Sequence, residues 1–381
     1  MKNTISGIPK LCLAVQAILV LMGLCFSNAV FASSATDSEG QNNYEYWEKI
    51  GKRAATEAIQ MIKEKGTSSA TSKLIAMTNA GYAEVQGQST MGVIDGIIEI
   101  TECKRGNSTF SEIHSRYDDP LWCAIYDKAS GYCAYLQVVT SNIPSPVELE
   151  KATLKAIFSI SSVEQIDEEH LYANADTYDK KFKEKIFGGN EFRIVTIANA
   201  MAQGAPVSAI KAFEYHDHYC PGVTSGIMMV NYVKNHFSQK PGGKYFVQSV
   251  QPWCKEDALM TLLNATPGKR GYSVIYTTEE ERKRWKKEYK DTATLIYRED
   301  KNTKRWEVVL LGFQWSDSVC KEFGKSIITK LCMDLWYLKK LDTPEAYIKE
   351  FGRFELPEGV SPIDWSRTGM DPMKELGLVD N

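Results

Sequence analysis

The run His216-Asp217-His218-Tyr219-Cys220-Pro221-Gly222 holds two of the chain's five histidines and one of its nine cysteines. Read as an extended strand, alternate residues share a face, so His216, His218 and Cys220 converge. Imidazole nitrogen and thiolate sulfur suit Zn²⁺, Ni²⁺ or Fe²⁺. Pro221-Gly222 then turns the chain, and Gly226 to His236 reads as an apolar helix. A helix start offers free N–H groups and partial positive charge, which places Cys220 to be a thiolate. Asp217, on the other face of the strand, is placed to orient a histidine. The bland alternative is a hydrogen-bonded buried histidine pair beside an inert core cysteine.

The elements that must position these residues read as α+β. Residues 44–65 have helical spacing, with Tyr46, Ile50, Ala54, Ala58 and Ile62 on one face. Gly92–Thr101 is apolar, either a buried helix or a strand. Leu121–Asp127 and Tyr132–Thr140 read as a hairpin, with Cys123 and Cys133 placed to face each other across it. Residues 146–190 read as helical and charged, and Phe192–Ala198 as a strand. Val207–Phe213 is apolar, Lys244–Val250 a strand, and Asp257–Asn264 a helix. Ala293–Arg298 and Trp306–Phe313 form a second hairpin, and Phe323–Leu341 a last helix.

A short internal repeat links Asp95-Gly96 through Cys103-Lys104-Arg105-Gly106 to Asp257-Ala258 through Pro267-Gly268, each followed by a hairpin. The expected organisation is therefore two related units of mixed sheet and flanking helices, packed as a pseudo-dimer. The first is 44–145 and the second, with the motif, 146–340. A C-terminal arm of 341–381 follows.

His-x-His-x-Cys-Pro-Gly before an apolar helix resembles the FmdE-like family, which takes its name from formylmethanofuran dehydrogenase. In that family a second cysteine follows, then Asp-Ala, then Gly-Cys-Thr-x-Gly-Lys. Here the series is Cys254, Asp257-Ala258 and Asn264-Ala265-Thr266-Pro267-Gly268-Lys269, a resemblance covering roughly residues 190–315. It implies a metal-binding α+β domain, often dimeric, with Cys254 as a further ligand and Asp257 as a ligand or helix-cap residue. The first unit resembles only the later part of the pattern and lacks His-x-His-x-Cys. The chain departs from the family at Asp217, where glycine is usual, and at Ala265, where cysteine is usual; the zinc-ribbon tail of some members is absent. The resemblance does not imply formylmethanofuran chemistry.

The N-terminus reads as a signal peptide. Lys2 and Lys10 precede an apolar stretch, Leu11–Phe26, and Val30-Phe31-Ala32 offers a cleavage site after Ala32. Residues 33–43 read as a linker. The expected location is periplasmic or extracellular, with no membrane attachment after cleavage. Loss of two lysines takes the net charge from −3 to −5, a poor balance for binding nucleic acid. Seven cysteines remain in the mature chain, so at least one is unpaired or a ligand.

Three functions fit these residues. The first is an exported protein that binds, and delivers, one transition metal or a metallocofactor, using His216, His218, Cys220 and Cys254, with Asp217 and Asp257 behind them; a homodimer is compatible with it. The second is an enzyme using a Cys/His nucleophile or metal-activated water. The third is a carrier of haem or another tetrapyrrole, held by histidine in an aromatic pocket.

Overall fold

The computed structural model describes residues 43–65, 74–316 and 319–380. The expected signal peptide lies outside these residues, as does the expected linker except Asn43. A helix over residues 43–63 (α1) leads into a five-stranded mixed sheet. Its strands are Leu74–Thr78 (β1), Phe110–Glu112 (β2), Trp122–Asp127 (β3), Tyr132–Val138 (β4) and Phe158–Gln165 (β5), in the order β2-β1-β3-β4-β5. Helix Gly92–Thr101 (α2) carries the chain from β1 to its parallel neighbour β2; the other pairs are antiparallel.

Two short helices, Glu168–Ala173 and Ala175–Lys183, follow in the stretch expected to be helical, and then Glu191–Ala202 (α3), Val207–His216 (α4) and Pro221–His236 (α5). The second sheet contains Tyr245–Ser249 (β6), Tyr272–Val274 (β7), Thr294–Asp300 (β8), Arg305–Phe313 (β9) and Ile348–Glu355 (β10). Its order is β10-β9-β8-β6-β7. Helix Lys255–Leu263 (α6) joins β6 to its parallel neighbour β7, and helix Ile327–Leu338 (α7) lies between β9 and β10.

Strand order and orientation are thus the same in both sheets. The correspondence extends to detail. α2 and α6 each end in a left-handed residue, Glu102 and Asn264, and a second such pair, Ser108 and Arg270, precedes β2 and β7. Thr78 opposite Cys123 is matched by Ser249 opposite Thr294. Both sheets have a register irregularity on the fourth strand, at Gln137/Val138 and Leu310/Leu311. The expectation of α+β architecture in two similar units is met.

The boundaries fall differently from the sequence reading. β5 belongs to the first sheet, so a division at 145 cuts through that sheet. Its partly exposed, serine-containing edge reads as a charged helix from sequence. β10, inside the presumed arm, is the edge of the second sheet. Residues Phe192–Ala198 are helical, not a strand. α3 is buried almost all round, which removes the polar stripe by which a helix is recognised. In the shared core, Ile75, Met77 and Tyr135 of the first sheet face α3, α4, α5 and α7, and the opposite face of the second sheet, with Tyr245, Val247 and Val309, closes it from the other side. α1 and α2 cover the first sheet's far face, and Trp285, Trp365 and Met373 cover the second's. The sheets present non-equivalent faces to the shared core, so the units stack in series. With both faces covered, the central strands are continuous apolar runs.

Cys123 and Cys133 do not face each other. The register sets Cys123 opposite Leu136 and Cys133 opposite Tyr126, and the two sulfurs enter different cores. Among the described residues the disulfide is Cys320–Cys332, which pins the lead-in to α7 onto that helix.

α5 and α6 cross very closely. A Cβ on Gly226 would lie 2.4 Å from the Lys255 carbonyl oxygen, and one on Gly222 would lie 2.7 Å from Cys254 Cβ. Gly226→Ala is expected to lower stability by about 1–3 kcal/mol despite the better helix propensity of alanine. Gly268→Ala, with nothing within 4 Å of the added carbon, is expected to be near neutral. Thermal denaturation of the two variants checks this, and equal midpoints would contradict it.

Candidate metal centre

The motif is a helix end, a tight turn and a helix start, not a strand. His216 is the last residue of α4, and Asp217 caps it in the left-handed conformation at φ 70°. Cys220 is the extended N-cap of α5, and Pro221 occupies the first helical position, where its missing N–H costs nothing. The turn sets the backbone demand at position 217. Left-handed backbone suits glycine, and aspartate is among the few other residues that adopt it readily. Asp217 keeps the turn and adds contacts: its carboxylate accepts from Arg193 Nη2 at 2.6 Å and bonds His218 Nδ1.

The turn, together with the α5–α6 crossing, assembles the cluster. One ligand atom each from His216, Cys220 and Cys254 lies within 4.8 Å of the others. His216 Nε2 is 3.9 Å from Cys220 Sγ. Donors about 2.0–2.3 Å from a tetrahedral ion sit roughly 3.5–3.8 Å apart, so small adjustments close the set around one ion. Asp257, in the first turn of α6, holds His216 Nδ1 at 2.6 Å. This fixes the ring with Nε2 toward the sulfurs, the carboxylate–histidine–metal arrangement. Of the four expected ligands, His218 is not in the compact group. Its ring lies 4.4 Å from that of His216 and 4.7 Å from that of Phe192.

Both sulfurs sit at helix N-termini, Cys220 at α5 and Cys254 at α6. Their protonation differs from the sequence expectation that Cys220 is the thiolate. Coupling between the two sulfurs raises Cys220 and lowers Cys254; burial raises Cys220 further, while His216 and His218 draw Cys254 down. Cys254 is the less buried sulfur, and its ionised form is the one that His216 and His218 favour, so the thiolate is favoured there. For His216, burial opposes the charged form, but the bond to Asp257 and the Cys254 thiolate outweigh it and hold the imidazole at about 9.

The first unit has the same frame without the donors. Gly92 occupies the place of Cys254 at the start of α2, packed on the Tyr44 carbonyl. Asp95 stands where Asp257 does, and Tyr44 Oη donates to it at 2.7 Å, as His216 bonds Asp257. Beside Cys254, a cleft of about 670 Å³ is lined by Trp253, Lys255, Phe313, Trp315, Lys349 and Phe351 among others. Lys255 is buried and committed to the Gln251 carbonyl and Glu256, whose other oxygen accepts from Tyr272 at 2.8 Å. Sequence reasoning missed this network and Arg193. An adjacent Lys-Glu pair at a helix start gives no signal of burial.

The fold and cluster define a mixed α/β protein with a candidate Cys₂His metal centre where two helix N-termini meet. Residues 215–330 match the family model described as FmdE, molybdenum formylmethanofuran dehydrogenase operon. The matched segment begins one residue before His216 and contains the whole cluster. No curated protein matches the chain.

The sulfur asymmetry is directly measurable. In protein stripped of metal, Cys254 is expected to alkylate at pH 6, well below the range of an ordinary thiol near 8.5. Cys103, Cys123, Cys133 and Cys220, all buried, are expected to stay protected until unfolding. Peptide mapping after brief iodoacetamide treatment reads the pattern, and modification of Cys220 ahead of Cys254 would contradict it.

Proposed function

We propose that this is an exported protein that binds one transition-metal ion per chain, for storage or delivery of the metal or of a metallocofactor. The observation that carries the reading is the compact His216–Cys220–Cys254 group with Asp257 behind the imidazole. Two thiolates and one imidazole match Zn²⁺ first, with Fe²⁺ and Ni²⁺ next. His218 stands beside the group as a ligand-exchange residue. Its ring follows the turn, so it can take the ion as another donor lets go. The Cys320–Cys332 bridge supports export, since such bonds persist in oxidising compartments. The organic part of a metallocofactor, a tetrapyrrole included, would lie in the aromatic cleft beside Trp253 and Trp315.

Metal analysis of purified protein tests the reading. Wild type is expected to hold about one equivalent. Cys220→Ser, Cys254→Ser and His216→Ala are expected to abolish retention, His218→Ala to weaken it, and Asp257→Asn to lower affinity about 10–100-fold. Full metal content in Cys220→Ser and His216→Ala would sink the proposal.

Proton linkage gives a second check. His216 is protonated below about 9, and an ion must displace that proton. Metal uptake at pH 7 is expected to release protons, and affinity to climb with pH until about 9. In metal-free protein the sign is opposite: the stability contributed by the raised imidazole is present below about 6.5 and is lost as pH rises through about 9. Calorimetry in buffers of different ionisation enthalpy reads the release, and an affinity flat from pH 6 to 9 would count against His216 as a ligand.

A second reading, a thiol-dependent enzyme, is favoured by the Cys254 thiolate beside a protonated His216. It requires Cys254 to remain reactive in the protein as purified, whereas a bound metal quenches it.

A further inference from the structure

Behind the cluster lies a carboxylate without a partner. Asp334 sits in the middle of α7, on the buried face that also carries Leu331, Leu335 and Leu338. It is 0% exposed, and neither of its carboxylate oxygens has a hydrogen-bond partner. Folded chains rarely strip a carboxylate of water without compensation. The nearby cation does not supply it: Lys330, one turn earlier, lies over the ring of Phe192 at 4.7 Å.

Asp334 belongs to the surroundings of the site. Burial raises its carboxyl well above the ordinary carboxylate range, and its ionisation is coupled to the thiols of Cys220 and Cys254 and the phenol of Tyr219. Tyr219, next to Cys220, has its own buried oxygen without a partner. Contacts run from α7 to the cluster through Lys330, Phe192, His218 and His216, at 4.7, 4.7 and 4.4 Å between successive groups.

The helix is also particular to the half of the chain that has the cluster. Residues 314–347, between β9 and β10, contain α7. The equivalent connection in the first unit, residues 139–157 between β4 and β5, contains a four-residue helix, Leu154–Ile157, and no counterpart of α7. The unit with Gly92 and Tyr44 in place of the donors therefore lacks the acid as well.

We propose that Asp334 is the fourth protein donor of the metal centre, adding one carboxylate oxygen to His216, Cys220 and Cys254. This rests on the metal-binding reading above. Three protein donors leave one position of a tetrahedral ion open. The Asp334 oxygens lie outside the 4.8 Å group, so ligation requires the carboxylate to swing toward the sulfurs. A side chain with no hydrogen bonds to break can do so. A hard oxygen donor beside two sulfurs also disfavours Cu⁺ relative to Zn²⁺, Fe²⁺ and Ni²⁺. Asp334 lies four residues beyond the matched segment, so the family pattern does not contain it.

The test compares full-length wild type with Asp334→Asn and Asp334→Leu. Metal-stripped samples are titrated with Zn²⁺ and with Co²⁺, whose absorption reports coordination number and thiolate ligation. X-ray absorption of the Zn²⁺ forms counts light-atom donors. Both variants are expected to lose at least tenfold in Zn²⁺ affinity, to alter the Co²⁺ spectrum and to lose one oxygen scatterer. Metal-free Asp334→Leu is expected to melt no lower than wild type, because leucine replaces a buried polar group that has no hydrogen-bond partner, so weaker binding cannot be ascribed to misfolding. Unchanged Zn²⁺ affinity and an unchanged Co²⁺ spectrum in both variants, with wild type binding normally, would overturn the Asp334 assignment alone. A wild type that binds neither metal would overturn the metal-binding reading together with it.

Discussion

The close crossing of α5 and α6, with Gly226 against the backbone of Lys255 and Gly222 against Cys254, is the constraint on which the cluster depends. It brings two helix N-termini into one place, each ending in a cysteine. Free N–H groups and partial positive charge from both helices converge on the sulfurs. α4 ends at the same point, and its last residue, His216, supplies the nitrogen. Asp217 makes this possible, because only a left-handed residue ends α4 sharply enough for Cys220 to start α5 three residues later.

The same frame without donors is informative. The first unit keeps the strand order, the left-handed caps and the glycine-mediated helix contact, with Gly51 against Val93 and Gly92 and Gly96 against α1. It keeps the carboxylate as well, Asp95, now satisfied by a tyrosine hydroxyl. What differs is a handful of side chains at the helix starts, together with α7. Scaffold and chemistry are therefore separable: the crossing is needed for packing in both units, whereas the sulfur and imidazole groups are needed in one.

Charge is concentrated around the second crossing in ways that packing alone would not favour. Lys255 and Glu256 form a buried pair completed by Ser249, Tyr272 and the Gln251 carbonyl. Every partner is present, which is the condition under which such a network is tolerated. Asp334 meets no such condition. The contrast between a satisfied buried network and an unsatisfied buried acid marks the acid as the exception. The Cys320–Cys332 bridge fixes the start of the helix that carries it.

The amino-acid sequence by itself determined the donor types, the tie between the motif and Cys254–Asp257, both central hairpins and the existence of two similar units. These are local or pairwise features, set by residue chemistry, apolar runs and a short repeat. It did not determine the register. Alternation of His216, His218 and Cys220 suggested one strand face, but a helix end followed by a helix start also separates like residues by two, and only the backbone at Asp217 distinguishes the cases. Nor could it favour the thiolate on Cys254, since that depends on which sulfur is more buried and on the groups the fold sets around each. Asp334 was half legible: an acid among Leu331, Leu335 and Leu338 at helical spacing signals a buried carboxyl. That this carboxyl is coupled to two cysteines more than seventy positions away was decided by tertiary structure, because α7 and the α5–α6 crossing meet only when both sheets close on one core.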